Sequence, residues 1–223
     1  MNNNIRIRKA TEKDIPFLKE AIIEAEKSGT NKISYCTIFT LAEEKLNEML
    51  YQVLIEDING QELCISDFLI AEINNEYAGA CSAWIEGING SPSYILKANI
   101  LFFFLGDKIC NKAADNLKLM EDINIAREKN TIQIESVYVN KKYRGMGIGN
   151  LLIREQIKML SEKNISVKKV QIILAKTNEN AYKAYQKLGF KTTIEKCSDK
   201  KEILNLLPSN CRIMMEMSIN DLK

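Results

Sequence analysis

Apolar and polar positions along the 223 residues follow two rhythms. A period of two marks residues 5–8 and, most cleanly, 211–219. There Ile213, Met215, Met217 and Ile219 share one face and Arg212, Met214, Glu216 and Ser218 the other, which predicts a final antiparallel strand. Residues 68–73 and 77–85 predict two more strands, joined as a hairpin by Asn74-Asn75-Glu76. Residues 132–139 are rich in Ile, Val and Tyr between polar clusters, and 169–175 form a short apolar run; both predict strands, with another over 191–196. A helical period opens after Thr11, with Thr11 or Asp14 as the cap, and stops at Ser28-Gly29-Thr30. After a polar linker it returns over 40–57 on Leu41, Leu46, Met49, Leu50, Val53 and Leu54. Beyond Gly149 a third helix gathers Ile148, Leu151, Leu152 and Met159, widened by Ile153, Ile157 and Leu160. Residues 198–209 read as a polar loop with a short helical centre.

Between residues 86 and 131 the regular succession of strands is interrupted. Residues 92–110 carry Ile95, Leu96 and the run from Ile100 to Leu105, and 112–129 read as a charged amphipathic helix. The plain expectation is an extra helical pair covering the sheet. A sharper one makes Phe102, Phe103 and Phe104 a substrate-side wall or the subunit interface of a homodimer, because so apolar a cluster needs burial. Trp84, alone on its strand, is expected in the core, with a cleft wall as the alternative.

The chemistry concentrates where the strand over 132–139 runs through Arg144-Gly145-Met146-Gly147-Ile148-Gly149 into a helix. The first turn of a helix offers unpaired N–H groups and the positive end of its dipole, a ready anion site. Glycines at alternate positions clear side chains from that site, and Arg144 adds charge at its rim. The spacing fits neither a dinucleotide fingerprint, since position 150 is Asn, nor a P-loop, which needs Lys followed by Ser or Thr. Thirty residues on, the strand over 169–175 is followed by Asn178 and then a helix with Ala181, Ala184, Tyr185 and Leu188 on one side, closed by Gly189-Phe190.

These two segments resemble the GNAT family of N-acetyltransferases. Arg144, Gly147 and Gly149 match its Arg/Gln-x-x-Gly-x-Gly/Ala pyrophosphate motif, and Asn178 with Tyr185 four residues before Gly189 matches its second signature. The resemblance implies an α/β fold in one domain over residues 1–223. Its central sheet would be mixed, mostly antiparallel, splayed between the fourth and fifth strands and flanked by helices, with a helical insertion at about 87–130 before the fourth core strand. It also implies acetyl-CoA as co-substrate and a primary amine on a small molecule or peptide as acceptor. Cofactor contacts would come from Val137, Val139, Arg144, Gly145, Met146, Gly147, Ile148, Gly149, Asn178 and Tyr185. Tyr185 would then protonate the leaving thiolate, although its spacing suits plain packing equally.

An amine of pKa about 10 must lose a proton before it attacks. The chain has no His, so acid-base chemistry rests on carboxylates, Tyr, Cys, Lys or ordered water, and the resemblance implies a carboxylate in the fourth strand as the candidate base, acting directly or through water. Glu135 is that candidate, read as sharing the side-chain parity of Val137 and Val139; Gln133, one pair back, is the alternative position, and there the chain has no base. A non-catalytic acyl-CoA sensor or interaction module is the competing function.

A net charge of +2 gives no broad electrostatic pull on nucleic acid or membrane. No apolar stretch reaches the roughly 20 residues of a membrane span, and the first residues lack the apolar core of a signal peptide, so a cytoplasmic location is expected. The six cysteines, at 36, 64, 81, 110, 197 and 211, form no C-x-x-C pair; most are expected reduced, and no metal site is expected.

Overall fold

The computed structural model describes residues 5–222. Seven strands form one sheet: β1 (Ile5–Lys9), β2 (Phe68–Ile73), β3 (Glu76–Ile85), β4 (Ile132–Val139), β5 (Lys169–Ala175), β6 (Lys191–Cys197) and β7 (Cys211–Ser218). Their spatial order is β1-β2-β3-β4-β5-β7-β6. Every neighbouring pair is antiparallel except β4 and β5, which run parallel and pair only over Ile132–Ile134 and Val170–Ile172. Beyond that short ladder the two strands part, leaving the second half of β4 with an open edge. The β2–β3 turn is the expected hairpin, with Asn74 and Asn75 at φ 52° and 64°, the paired left-handed conformation that Asn tolerates.

One core lies on each face. Helices α1 (Ile15–Glu26), α2 (Ser34–Phe39), α3 (Glu43–Glu56) and α4 (Ser93–Leu105) pack on one side, against Phe68, Ile70, Ala80 and Tyr138. On the other, α7 (Ile148–Lys163) and α8 (Glu179–Leu188) cover Leu69, Cys81, Ile134, Ile172 and Met215. Between α4 and β4 come two short helices, α5 (Asp107–Lys112) and α6 (Ala114–Leu119); α9 (Ile203–Leu206) is the helical centre of the β6–β7 loop.

Several expectations change. The presumed linker before residue 40 contains α2, whose Ser-Tyr-Cys-Thr-Ile-Phe sequence is too short and too rich in β-branched and aromatic residues to show a helical period. The second insertion helix is not continuous: it breaks into α5, α6, a 3₁₀ turn at Glu121–Ile123 and an extended stretch leading to β4. In α7, Leu151 is exposed while Gln156 is buried, donating to the carbonyls of Asp67 and Cys81 at 2.8 Å each. The phenylalanine run is not buried as a cluster. Because α4 is apolar on all sides and packs through one face, Leu101 and Leu105 are covered while Phe102 and Phe103 are 50% and 79% exposed. Trp84 is core, 2% exposed. Cys197 and Cys211 stand opposite one another across β6 and β7 and are disulfide-bonded, a pairing their 14-residue separation did not announce; the other four cysteines are free.

Candidate active site

The site starts from an irregularity in β4. Ala80 pairs with Tyr138 and Ser82 with Glu135, so β4 spends one residue more than β3 over the same span; Ser136, at φ 50°, absorbs it as a bulge. The extra residue changes the side-chain parity. Val137 and Val139 face α7 together with Ile134, whereas Glu135 points to the opposite face with Gln133 and Tyr138. Strict alternation across 135–139 therefore fails: Glu135 does not share a face with Val137 and Val139. Alternation of backbone direction survives beyond the bulge. Asn140 gives its N–H to Ala78, so the N–H of Val139 points away from β3, onto the open edge.

That edge is one wall of a cleft of about 790 Å³. Glu135, Val137, Val139, Arg144, Asn178 and Tyr185 all line it, which brings six of the expected site residues together. Gly145, Met146, Gly147, Ile148 and Gly149 do not line it but form the adjoining turn. Gly145 and Gly147 have φ of 83° and 77°, and a side chain added at either would meet open space. Gly147 caps α7 without any side chain bonding the first-turn amides. The turn is thus shaped for an anionic group at the helix start, consistent with the phosphates of CoA. The Ile148 side chain is buried in the core, and Gly149 packs against Val137 and Val139. Arg144 is exposed, its Nε donating to the Val139 carbonyl at 3.2 Å. Lys142, two residues before it, is paired with Glu76 at 2.5 Å.

Asn178 caps α8, its Oδ1 accepting from the Ala181 N–H at 3.4 Å. Tyr185 is buried beside Phe190, with ring centroids 6.2 Å apart, and its hydroxyl makes no hydrogen bond with the described residues. Burial, reinforced by the nearby Glu135 carboxylate, raises its pKa, so the phenol stays protonated at neutral pH.

Glu135 lines the cleft on the other side of the β4 bulge from Val137 and Val139. Burial pushes its carboxyl up to about 7, against the pull of Arg127. Arg127 Nη2 donates to Glu135 Oε1 at 2.6 Å, and the guanidinium lies 5.1 Å over the Trp84 ring. Trp84 in turn donates to Glu86 at 3.1 Å, and Glu86 accepts the Ser93 N–H at the start of α4. The insertion therefore reaches the candidate base through its final extended stretch. Gln133 is excluded as a substitute: it is 1% exposed, and its amide donates to Thr131 and Gln171 at 2.6 and 2.8 Å.

Sequence reasoning missed the remaining polar groups of the acceptor end, Glu26, Glu62, Lys97, Arg127 and Arg212. Lys97 pairs with Glu62 and lies 5.0 Å over the Tyr35 ring. Arg212 left the one visible trace, a charged position on the polar face of the last strand, which it shares with Glu216. Arg127 left none, being in coil.

Among known proteins, the model of the acetyltransferase (GNAT) family matches residues 33–190. The chain belongs to that family and is a transferase enzyme. No curated protein sequence matches it. Solved structures align over nearly its whole length at low identity. An N-acetyltransferase from Staphylococcus aureus Mu50 is 19% identical over 95% of this chain and 100% of its own, with a TM-score of 0.61. A ribosomal-protein-alanine N-acetyltransferase from Brucella melitensis is 16% identical over 96% and 99%, at 0.54. An aminoglycoside acetyltransferase in complex with coenzyme A is 17% identical over 98% and 96%, at 0.53. At such identities the likeness speaks for the fold.

Proposed function

We propose that this enzyme moves the acetyl group of acetyl-CoA to a primary amine on a small molecule or peptide, by direct transfer within a ternary complex. The observation that carries the reading is the single cleft in which the open β4 edge, Arg144 and Asn178 adjoin Glu135 and Tyr185. Arg144 and the first-turn amides of α7 hold the phosphates. The Val139 N–H on the open edge orients the pantetheine arm and can polarise the acetyl carbonyl. Glu135 takes a proton from the ammonium, the freed amine attacks the thioester carbon, and the carbon–sulfur bond breaks. Tyr185 gives its proton to the departing thiolate and is restored by the second proton that the nitrogen sheds as the adduct collapses, so the products are an amide and the CoA thiol, with Glu135 holding the first proton.

The test is calorimetry with acetyl-CoA on wild type beside Gly147→Glu, which places a carboxylate in the turn. Micromolar binding that the variant loses supports the reading and justifies amine screening by thiol release. A folded wild type, free of copurified CoA, that binds no acetyl-CoA refutes it.

A further inference from the structure

The charged groups of the acceptor end nearly cancel in pairs. Lys97 is matched to Glu62, Arg127 to Glu135 at 2.6 Å, and at the rim Lys27 to Glu24 at 2.5 Å. Two groups are left over. Glu26, at the end of α1, and Arg212, in β7, both line the cleft; neither forms an ion pair with the described residues, and the only side chain bonded to Glu26 is that of Ser34. They feel each other's charge without meeting. A third vacancy lies beside them: Glu62 is 8% exposed, and its Oε2 is buried without a hydrogen-bond partner while Oε1 serves Lys97. Burying such groups is costly unless something completes them. The cleft thus offers one unspent guanidinium and, from another wall, unspent carboxylate oxygen.

A polyamine would satisfy the carboxylates and leave Arg212 desolvated. A simple anion would do the reverse. Only a molecule carrying both signs completes both, and the planar fork of Arg212 suits a carboxylate. We infer that the acceptor is a small amine that also bears a carboxylate, an amino acid in chemical class, with Arg212 holding the carboxylate and Glu26 and Glu62 facing the ammonium side. This rests on the acetyl-transfer reading above. It also gives the insertion a purpose, since Lys97 from α4 takes one oxygen of Glu62 and Arg127 takes Glu135, leaving Glu26, the second Glu62 oxygen and Arg212 to discriminate.

The experiment compares the twenty amino acids with their carboxamides by thiol release from acetyl-CoA. Binding of each acid to the CoA-loaded enzyme is followed by calorimetry. The expected result is at least one acid acetylated with kcat/KM about tenfold or more above its amide. In Arg212→Met that preference vanishes and KM for the acid rises about tenfold or more, while the KM for acetyl-CoA holds; Arg212→Lys recovers part of it. Amides used as well as acids, no acid bound or acetylated, or an acid preference that survives Arg212→Met would overturn the inference. If acetyl-CoA itself fails to bind, both this inference and the proposed function fall; if it binds and amides are preferred, only the inference does.

Discussion

At the scale of single residues, the chemistry turns on the Glu135 proton. A carboxyl at about 7 is mostly unprotonated above neutrality, so kcat/KM rises with pH and levels off above about 7, as a base limb. Glu135→Gln removes the limb and lowers kcat/KM by roughly 10²–10⁴-fold, measured by initial rates across pH 5.5–9. Arg127→Gln has a different signature. The ion pair that favours the charged carboxylate goes, so the limb moves to higher pH while activity at high pH is largely kept. A purely structural role for Arg127 would lower rates at every pH and leave the limb where it was. The candidate site was legible in the sequence where function is held in local motif spacing: Arg144, Asn178 and Tyr185 all line the cleft. It was not legible where function depends on which side chains meet across the fold. Arg127 meets Glu135 only because a loop and a strand converge, and no local pattern encodes that.

At the scale of elements, most strands and the long helices announced themselves by period, because each buries one face against a layer. Misreadings fell on short or two-sided pieces. α2 is six residues long, and α4 is apolar all round, so its period conveys no direction. The β4 parity failed for another reason: bulges are set by pairing with a partner strand, here β3, and strict alternation is the default reading of a lone strand. The β3–β4 contact is close enough to be tested. A Cβ on Gly79 would lie 2.7 Å from the Tyr138 carbonyl oxygen and 3.2 Å from Ile148, both held by packing. Gly79→Ala therefore costs about 1–3 kcal/mol in urea denaturation, and it also weakens acetyl-CoA binding by displacing Val139 and the start of α7. Gly147→Ala, with free space around the new methyl, costs about 1–2 kcal/mol from its left-handed backbone alone.

At the scale of the whole molecule, stability should depend on pH from two directions. Asp14 is 1% exposed, held bidentately by Arg8 at 2.8 Å and also by Tyr77 and the Thr11 N–H. The Arg8 guanidinium keeps its carboxyl well below the usual range. Its contribution is present above the unfolded value of about 3.9 and is lost as pH falls through the depressed folded one. Glu135 acts oppositely: its folded carboxyl is raised, so stability declines as pH climbs from about 4.3 towards 7, where the folded group ionises too. Denaturation at pH 3, 5 and 8 should find the maximum near the middle value. Asp14→Asn should cost about 3 kcal/mol at pH 7 and flatten the acid side. The β4 bulge has its own consequence at this scale. It is a phase slip of one residue, and it lets a single strand serve two layers, presenting an acid to one and valines to the other. Straightening Ser136 into the regular pleat, with no residue removed, would turn the last three residues inside out, sending Tyr138 towards α7 and the valines towards α1, whereas deleting Ser136 would restore plain alternation with each side chain on its present face. Removing that one residue should therefore cost less in urea denaturation than replacing Ser136 with Val or Ile, which the left-handed backbone at φ 50° disfavours.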